Sequence, residues 1–223
     1  STKGDDHVLV PMRTDDAEAT AMLAAKLAAA HEAGKVVLLD VVDDEQVAAA
    51  ERELLDRTAG VRTDGGDASA PETPVAEDDL DAAALDEMAE RRAASTAVNR
   101  LEEQAAQIET KVGVPCEVVV ATAGGTPAST VLSTAHETNC DLIATPYEQR
   151  HGSLSPFVRL LFRGDVDVLV HRSCAGRTRW HRVLVPVRRA GDVAHAMIDF
   201  ALRLTGRTGH VGVAHCLPGD GNR

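Results

Sequence analysis

Apolar residues fall into short β-branched runs separated by longer stretches of helical spacing, from His7 to His215. The first run, His7-Val8-Leu9-Val10-Pro11, predicts a buried strand. A helix follows, with Asp15 offering an N-cap oxygen and Glu18 standing three residues on, as in a capping box. Met22, Leu23, Leu27 and Ala30 hold its apolar face, and Gly34 reads as its stop. Val36–Val41 is apolar on both faces, the pattern of a strand covered on both sides in a parallel sheet. Residues 44–59 predict a highly charged helix. Residues 60–79 hold Gly, Pro, Ser and acid and almost no large apolar group, so they predict a mobile loop that cannot offset its ordering entropy.

A long helix is expected from about Leu80 to Lys111, with Val98, Leu101, Ala105, Ile108 and Val112 as its core-facing stripe. Cys116–Ala121 predicts a third strand. Thr126 and Pro127 predict the N-cap and first position of a helix whose Val131, Leu132 and Ala135 face inward. Asp141–Ala144 and Val166–Val170 predict a fourth and a fifth strand. This alternation predicts a parallel, doubly wound open sheet with right-handed crossovers. The pattern then restarts: VLVPMR at 8–13 returns as VLVPVR at 183–188. A helix from about Asp192 to Leu204, stopped by Gly206, and a strand at His210–His215 complete a β-α-β echo. The expected organisation is one domain over 1–175, with an acidic insertion at about 44–79, and an incomplete second repeat over 179–223.

Composition narrows the function classes. Aromatics are only 2%, so the core rests on Val, Leu, Ile and Ala. The net charge is −12, and only four of the 23 basic residues are Lys (Lys3, Lys26, Lys35, Lys111). Such a surface suits multimolar salt, where a Debye length of about 3 Å screens self-repulsion. No basic stripe exists to neutralise phosphates, which argues against nucleic acid as a partner. No apolar run approaches the roughly 20 residues of a membrane helix, and no signal peptide opens the chain. The expected compartment is the cytoplasm, with no direct membrane insertion of this segment. Cys116, Cys140, Cys174 and Cys216 are scattered without a CxxC pair and read as buried or idle thiols. His136 and Cys140 stand at a legal metal spacing, but no second pair accompanies them.

The order of these elements, with Val8-Leu9-Val10-Pro11, Gly125-Thr126-Pro127-Ala128, Cys140-Asp141-Leu142-Ile143 and Gly164-Asp165-Val166, resembles the universal stress protein (UspA) family. The resemblance covers about residues 5–172 and restarts at 179–216, and it extends to haloarchaeal, transporter-linked members. It implies a flavodoxin-like, Rossmann-like open sheet of five parallel strands, related to the adenine nucleotide alpha-hydrolases. It also implies, in one subgroup, an ATP or AMP site at the carboxyl ends of the strands. The residues that fall on that site are Pro11, Arg13, Val41, Thr145, Gln149, Gly152, Ser153, Gly164 and Asp165.

Several of them depart from the nucleotide-binding pattern. Arg13 replaces the Asp that follows the first strand, and Arg188 does so in the repeat. Pro146 and Gln149 occupy the two leading glycine places of the G-x2-G-x9-G-[ST] loop. The spacer to Gly164 is 14 residues, and Asp165 stands in the hydroxyl position. Glycines let backbone N–H groups approach phosphate, and Pro146 has no N–H to offer. Asp165 is expected to set a like charge against phosphate. The expectation is a degraded ATP site and no bound cofactor. Two alternatives stay open: a stand-alone ATP- or AMP-binding stress protein, and a re-formed site in which Arg13, Arg150 and Arg163 hold an anion. An alpha-hydrolase-type enzyme is disfavoured because residues 11–16 (PMRTDD) lack a Gly/Ser-rich loop. No catalytic arrangement and no metal set is assigned.

The expected function is that of a non-catalytic regulatory module, the cytoplasmic tail or companion of a membrane transporter for amino acids or cations. The resemblance further implies a homodimer through the fifth strand, with Val166, Val168 and Val170 at the edge.

Overall fold

The β-branched runs become strands and the periodic stretches become helices. The computed structural model describes residues 7–14, 16–61, 82–122, 125–173 and 179–215. In chain order the elements are β1 (His7–Pro11), α1 (Ala17–Ala28), β2 (Lys35–Val42), α2 (Asp44–Val61), α3 (Ala82–Val112) and β3 (Cys116–Thr122). There follow α4 (Pro127–Glu137), β4 (Leu142–Pro146), the two-residue strands β5 (Gln149–Arg150) and β6 (Ser153–Leu154), α5 (Pro156–Leu161) and β7 (Asp167–His171). The second repeat supplies β8 (Arg182–Val187), α6 (Asp192–Thr205) and β9 (His210–His215).

Five parallel strands form one sheet in the order β3-β2-β1-β4-β7, as expected. Its two faces bury different halves of each strand, because side chains alternate with a period of two. Val8, Val10, Val36 and Leu38 pack with α1 and with Leu101 and Ile108 of α3. Leu9, Val37, Leu39 and Ile143 pack with α4 and α5 through Val131, Ala135, Val158 and Leu161. The chain leaves β1 in one direction, through β2 and β3, and returns on its other side as β4. That reversal puts a crevice at the carboxyl ends of β1 and β4.

Some local expectations shift. Asp15, read as a cap, lies outside the described residues. The cap position falls on Asp16, whose side chain makes no capping hydrogen bond. Helix α1 stops at Ala28, six residues before Gly34, so Gly34 is not its stop. Glycine is required there for another reason: a Cβ would lie 2.0 Å from the carbonyl oxygen of Ala28. Helix α2 runs on through Gly60 and Val61, two residues into the expected mobile loop, while residues 62–81 lie outside the described residues. Helices α2 and α3 pack through small side chains, Ala50 against Ala89, Ala93 and Ala97. Arg100 of α3 ties this pair to the sheet. Its guanidinium donates to Asp40 Oδ2 at 2.6 Å, and a longer bond reaches the Met12 carbonyl at 3.4 Å.

The second repeat forms its own parallel pair, β8 with β9. Helix α6 covers it and packs on α1, and Trp180, Phe200 and Leu204 reach the core between α1 and α3. Positions that are sealed in the first repeat are open here. Leu9 and Leu27 are 0% exposed, but their counterparts Leu184 and Leu202 are 69% and 55% exposed. Among the described residues, no helix is long and apolar enough to cross a membrane. Cys140 is buried and Cys116 half-buried. Burial, aided by the nearby Glu109 carboxylate, pushes the Cys116 thiol up to about 12, so both read as idle thiols. Cys174 and Cys216 lie outside the described residues.

Candidate functional site

The crevice at the ends of β1 and β4 is a cavity of about 570 Å³. Arg13 and Thr14 enter it from the end of β1. Thr126, Pro127 and Ala128 enter from the start of α4, and Glu148, Gln149 and Arg150 from the segment after β4. Ser155, Pro156, Phe157 and Leu160 close the far wall. Two Ser/Thr-Pro pairs shape the cavity in the same way. The hydroxyl of Thr126 accepts from Ser129 N–H, that of Ser155 accepts from Val158 N–H, and each following proline fills the first helical position at no hydrogen-bond cost.

The segment that should cradle a phosphate is a closed hairpin. Gln149 pairs with Leu154 and Arg150 with Ser153 in an antiparallel ladder. His151 and Gly152 turn it with φ of 52° and 80°, the two left-handed residues that a type I′ turn requires. Gly152 is therefore explained by the turn. The flanking amides are spent as well: Tyr147 N–H donates to the His171 carbonyl at 2.7 Å and Ser155 N–H to the Glu148 carbonyl at 2.9 Å. An amide committed to the protein cannot also bind a ligand oxygen, so Tyr147 and Ser155 offer none to a phosphate.

Charge in the cavity is mixed. The Arg13 guanidinium lies over the Phe157 ring, 4.0 Å from its centroid, and its Nη1 is 3.8 Å from Glu148 Oε1. The other carboxylate oxygen of Glu148 accepts from Ser155 Oγ at 3.0 Å. The Arg13 side chain is 32% exposed and that of Glu148 22%.

Of the residues expected at the site, Arg13 and Gln149 line the cavity, and Arg150 joins them. Pro11 is buried at the last position of β1, and Val41 is buried near the end of β2 among the residues under α4 and α5. Thr145 is fully buried on β4, with no hydrogen-bond partner for its hydroxyl. Ser153 Oγ donates to the Arg150 carbonyl at 3.2 Å and serves the hairpin.

Gly164 and Asp165 do not line the cavity. The longer spacer folds into the hairpin plus α5, which carries both residues past the cavity. A Cβ at Gly164 would lie 2.5 Å from Leu132 Cδ2, so its glycine serves helix packing. Asp165 Oδ1 sits 2.9 Å from His136 Nε2 and opposes nothing in the cavity. Arg163 is likewise absent from the lining. The carboxylate that does enter is Glu148, which sequence reasoning missed together with Phe157. The available signal was Ser155-Pro156, which repeats the grammar of Thr126-Pro127 twenty-nine residues earlier.

An open parallel sheet with its crevice at this switch point defines a doubly wound α/β fold. No family model matches the chain, and no curated protein matches it. Among solved structures, a universal stress protein from Archaeoglobus fulgidus DSM 4304 matches 98% of this chain and 68% of its own, at 16% identity and a TM-score of 0.56. A universal stress protein UspA from Lactobacillus plantarum matches 74% of this chain and 95% of its own, at 20% identity and a TM-score of 0.47. A universal stress protein family member from Arabidopsis thaliana with AMP bound matches 76% and 92%, at 13% identity and a TM-score of 0.40. The five-stranded sheet of this chain is the universal stress protein fold.

Proposed function

We propose that this chain is a non-catalytic regulatory module of the universal stress protein type, whose crevice takes a small ligand but no nucleoside triphosphate. The observation that carries the reading is the hairpin over 149–154, which occupies the place of the glycine loop, with the flanking Tyr147 and Ser155 amides bonded to the protein. Glu148 adds to it, because a carboxylate beside the crevice repels a polyphosphate. Isothermal titration with ATP and Mg²⁺ in multimolar KCl tests the proposal. The expected result is no binding tighter than about millimolar, and an affinity on the order of micromolar overturns it.

A homodimer through β7 belongs to the same reading. This strand ends the sheet; Val168 and Val170 stand half-buried along it and Val166 just before it. Sedimentation equilibrium in molar salt checks it, with a dimer expected and a lone monomer as the contrary result. A membrane transporter is the partner this reading favours, on the strength of the Arg13 and Arg188 openings. Fractionation of cells carrying the gene should place the protein with the membranes through that partner, and a wholly soluble distribution removes it.

A further inference from the structure

The crevice holds opposite charges that do not satisfy each other. Arg13 has five N–H donors, and among the described residues none of them makes a hydrogen bond to the protein. Its nearest carboxylate oxygen, Glu148 Oε1, is 3.8 Å away, beyond hydrogen-bond reach. The flat face of the guanidinium is taken by Phe157, which leaves the N–H edge for a ligand. On the other side of the gap, Glu148 Oε2 is committed to Ser155 while Oε1 has only the distant arginine. A cation edge and an anion corner therefore stand side by side, Arg13 partly exposed and Glu148 half-buried, both with bonding capacity left over.

We infer that the ligand of this crevice is a free α-amino acid, bound as its zwitterion. The inference rests on the reading of the crevice as a small-ligand site without a triphosphate cradle. An α-amino acid carries its two charges on neighbouring atoms of one carbon, so one molecule can answer both groups. Its carboxylate accepts from the edge of Arg13, in the geometry a guanidinium favours, and its ammonium donates to Glu148 Oε1. The α4 N-terminus, eleven residues of aligned peptide dipoles, borders the cavity at Thr126 and favours the carboxylate on that side. Pro156, Phe157 and Leu160 give an apolar wall for the side chain. The cavity, about 570 Å³, is in the range of small-molecule sites.

The Arg13–Glu148 pair, rather than the net charge of a lining that also holds Arg150, favours a zwitterion over other small ligands. A phosphate or a dicarboxylate answers Arg13 but sets a second negative charge against Glu148. A simple monocarboxylate answers Arg13 and leaves Glu148 unanswered. A simple amine does the reverse, so each answers only one of the two groups.

The test uses the full chain in molar KCl. Each of the twenty L-amino acids is screened by thermal shift, and the best is measured by isothermal titration. Its N-acetyl derivative, which lacks the ammonium, and its amide, which lacks the carboxylate, are measured beside it. At least one amino acid should bind, with both derivatives weaker by roughly tenfold or more. Glu148→Gln should weaken the amino acid to a similar degree while leaving the N-acetyl derivative unaffected, and Arg13→Gln should do the same for the carboxylate arm. Because the derivatives leave the protein untouched, misfolding of a variant cannot mimic the result. Failure of all twenty amino acids, or an N-acetyl derivative that binds as tightly as its parent, overturns the inference. If ATP fails to bind as well, the preceding proposal stands without this one; if ATP binds with an affinity on the order of micromolar, both fall.

Discussion

Arg100→Ala is the substitution whose cost the structure sets most directly. The Asp40 side chain is 4% exposed at the end of β2, and the Arg100 guanidinium reaches it at 2.6 Å. Burial raises the pKa of Asp40 above its ordinary 3.8, and the Arg100 charge works against that rise. Removing one partner of a fully buried ion pair costs about 3–5 kcal/mol. Here the Arg100 side chain is 55% exposed, so water can partly replace it, and we expect about 1–3 kcal/mol. For an m-value of roughly 2 kcal/mol/M in urea, the unfolding midpoint falls by about 0.5–1.5 M. The sign of the pH dependence follows from the raised pKa. Asp40 favours folding when protonated, so its contribution is lost as pH rises through its folded pKa. Without Arg100 that loss deepens, and the penalty should be larger at pH 7.5 than at pH 5. Urea unfolding followed by far-UV circular dichroism at the two pH values measures it. Asp40→Asn in the Arg100→Ala background should restore most of the stability. A penalty equal at both pH values, or no rescue by Asp40→Asn, would show that Arg100 acts by packing alone and refute the electrostatic account.

Two further outcomes are expected. Leu9→Ala should cost about 2–5 kcal/mol, while Leu184→Ala, the same change at the equivalent position of the second repeat, should stay within about 0.5 kcal/mol. Equal losses in chemical denaturation would mean that Leu184 is covered in solution. His171 lies against α1, its Nδ1 3.0 Å from Thr20 Oγ1 and its ring edge-on to Trp180. Burial lowers its pKa below 6.5, with Asp16 opposing, so the stability it contributes above pH 6.5 is lost as pH falls through the folded pKa. His171→Phe should therefore lose less thermal stability than the wild type between pH 7 and about pH 5, and parallel Tm-against-pH curves would contradict this.

What could be read from the chain beforehand was what is encoded locally. The apolar runs at 7–11 and 36–41 became β1 and β2 because period-two and period-3.6 patterns are properties of neighbours in sequence. Thr126-Pro127 marked a helix start for the same reason. The crevice was legible only in part. Arg13 stood out as a departure from a motif, but its partner Glu148 is 135 residues away and was assigned by folding, not by spacing. Asp165 stands away from the cavity, and counting along a motif misses this because it assumes the family's loop length. Extra residues that close into a hydrogen-bonded hairpin change where the chain emerges. The Arg100–Asp40 clamp was equally invisible, since a charged residue on a helix looks the same whether it faces water or the end of a strand.

The duplicated opening sharpens what makes the crevice a site. Arg13 and Arg188 occupy the same place after equivalent strands, and by sequence they are equally conspicuous. Their surroundings differ. The cavity beside Arg188 is lined by Pro186, Val187, Arg189, Val193, Ala194 and Met197, and no carboxylate enters it. Everything that distinguishes Arg13 comes from the segment 148–157: the Phe157 ring beneath it, the Glu148 charge beside it and the Ser155 hydroxyl that holds Glu148 in place. An arginine after the strand is thus a shared inheritance of both repeats. Selectivity for a ligand with two opposite charges arises only where the β4–α5 connection has been rebuilt around it. It follows that transferring function should mean transferring that connection, and that replacing Arg188 should leave ligand binding unchanged.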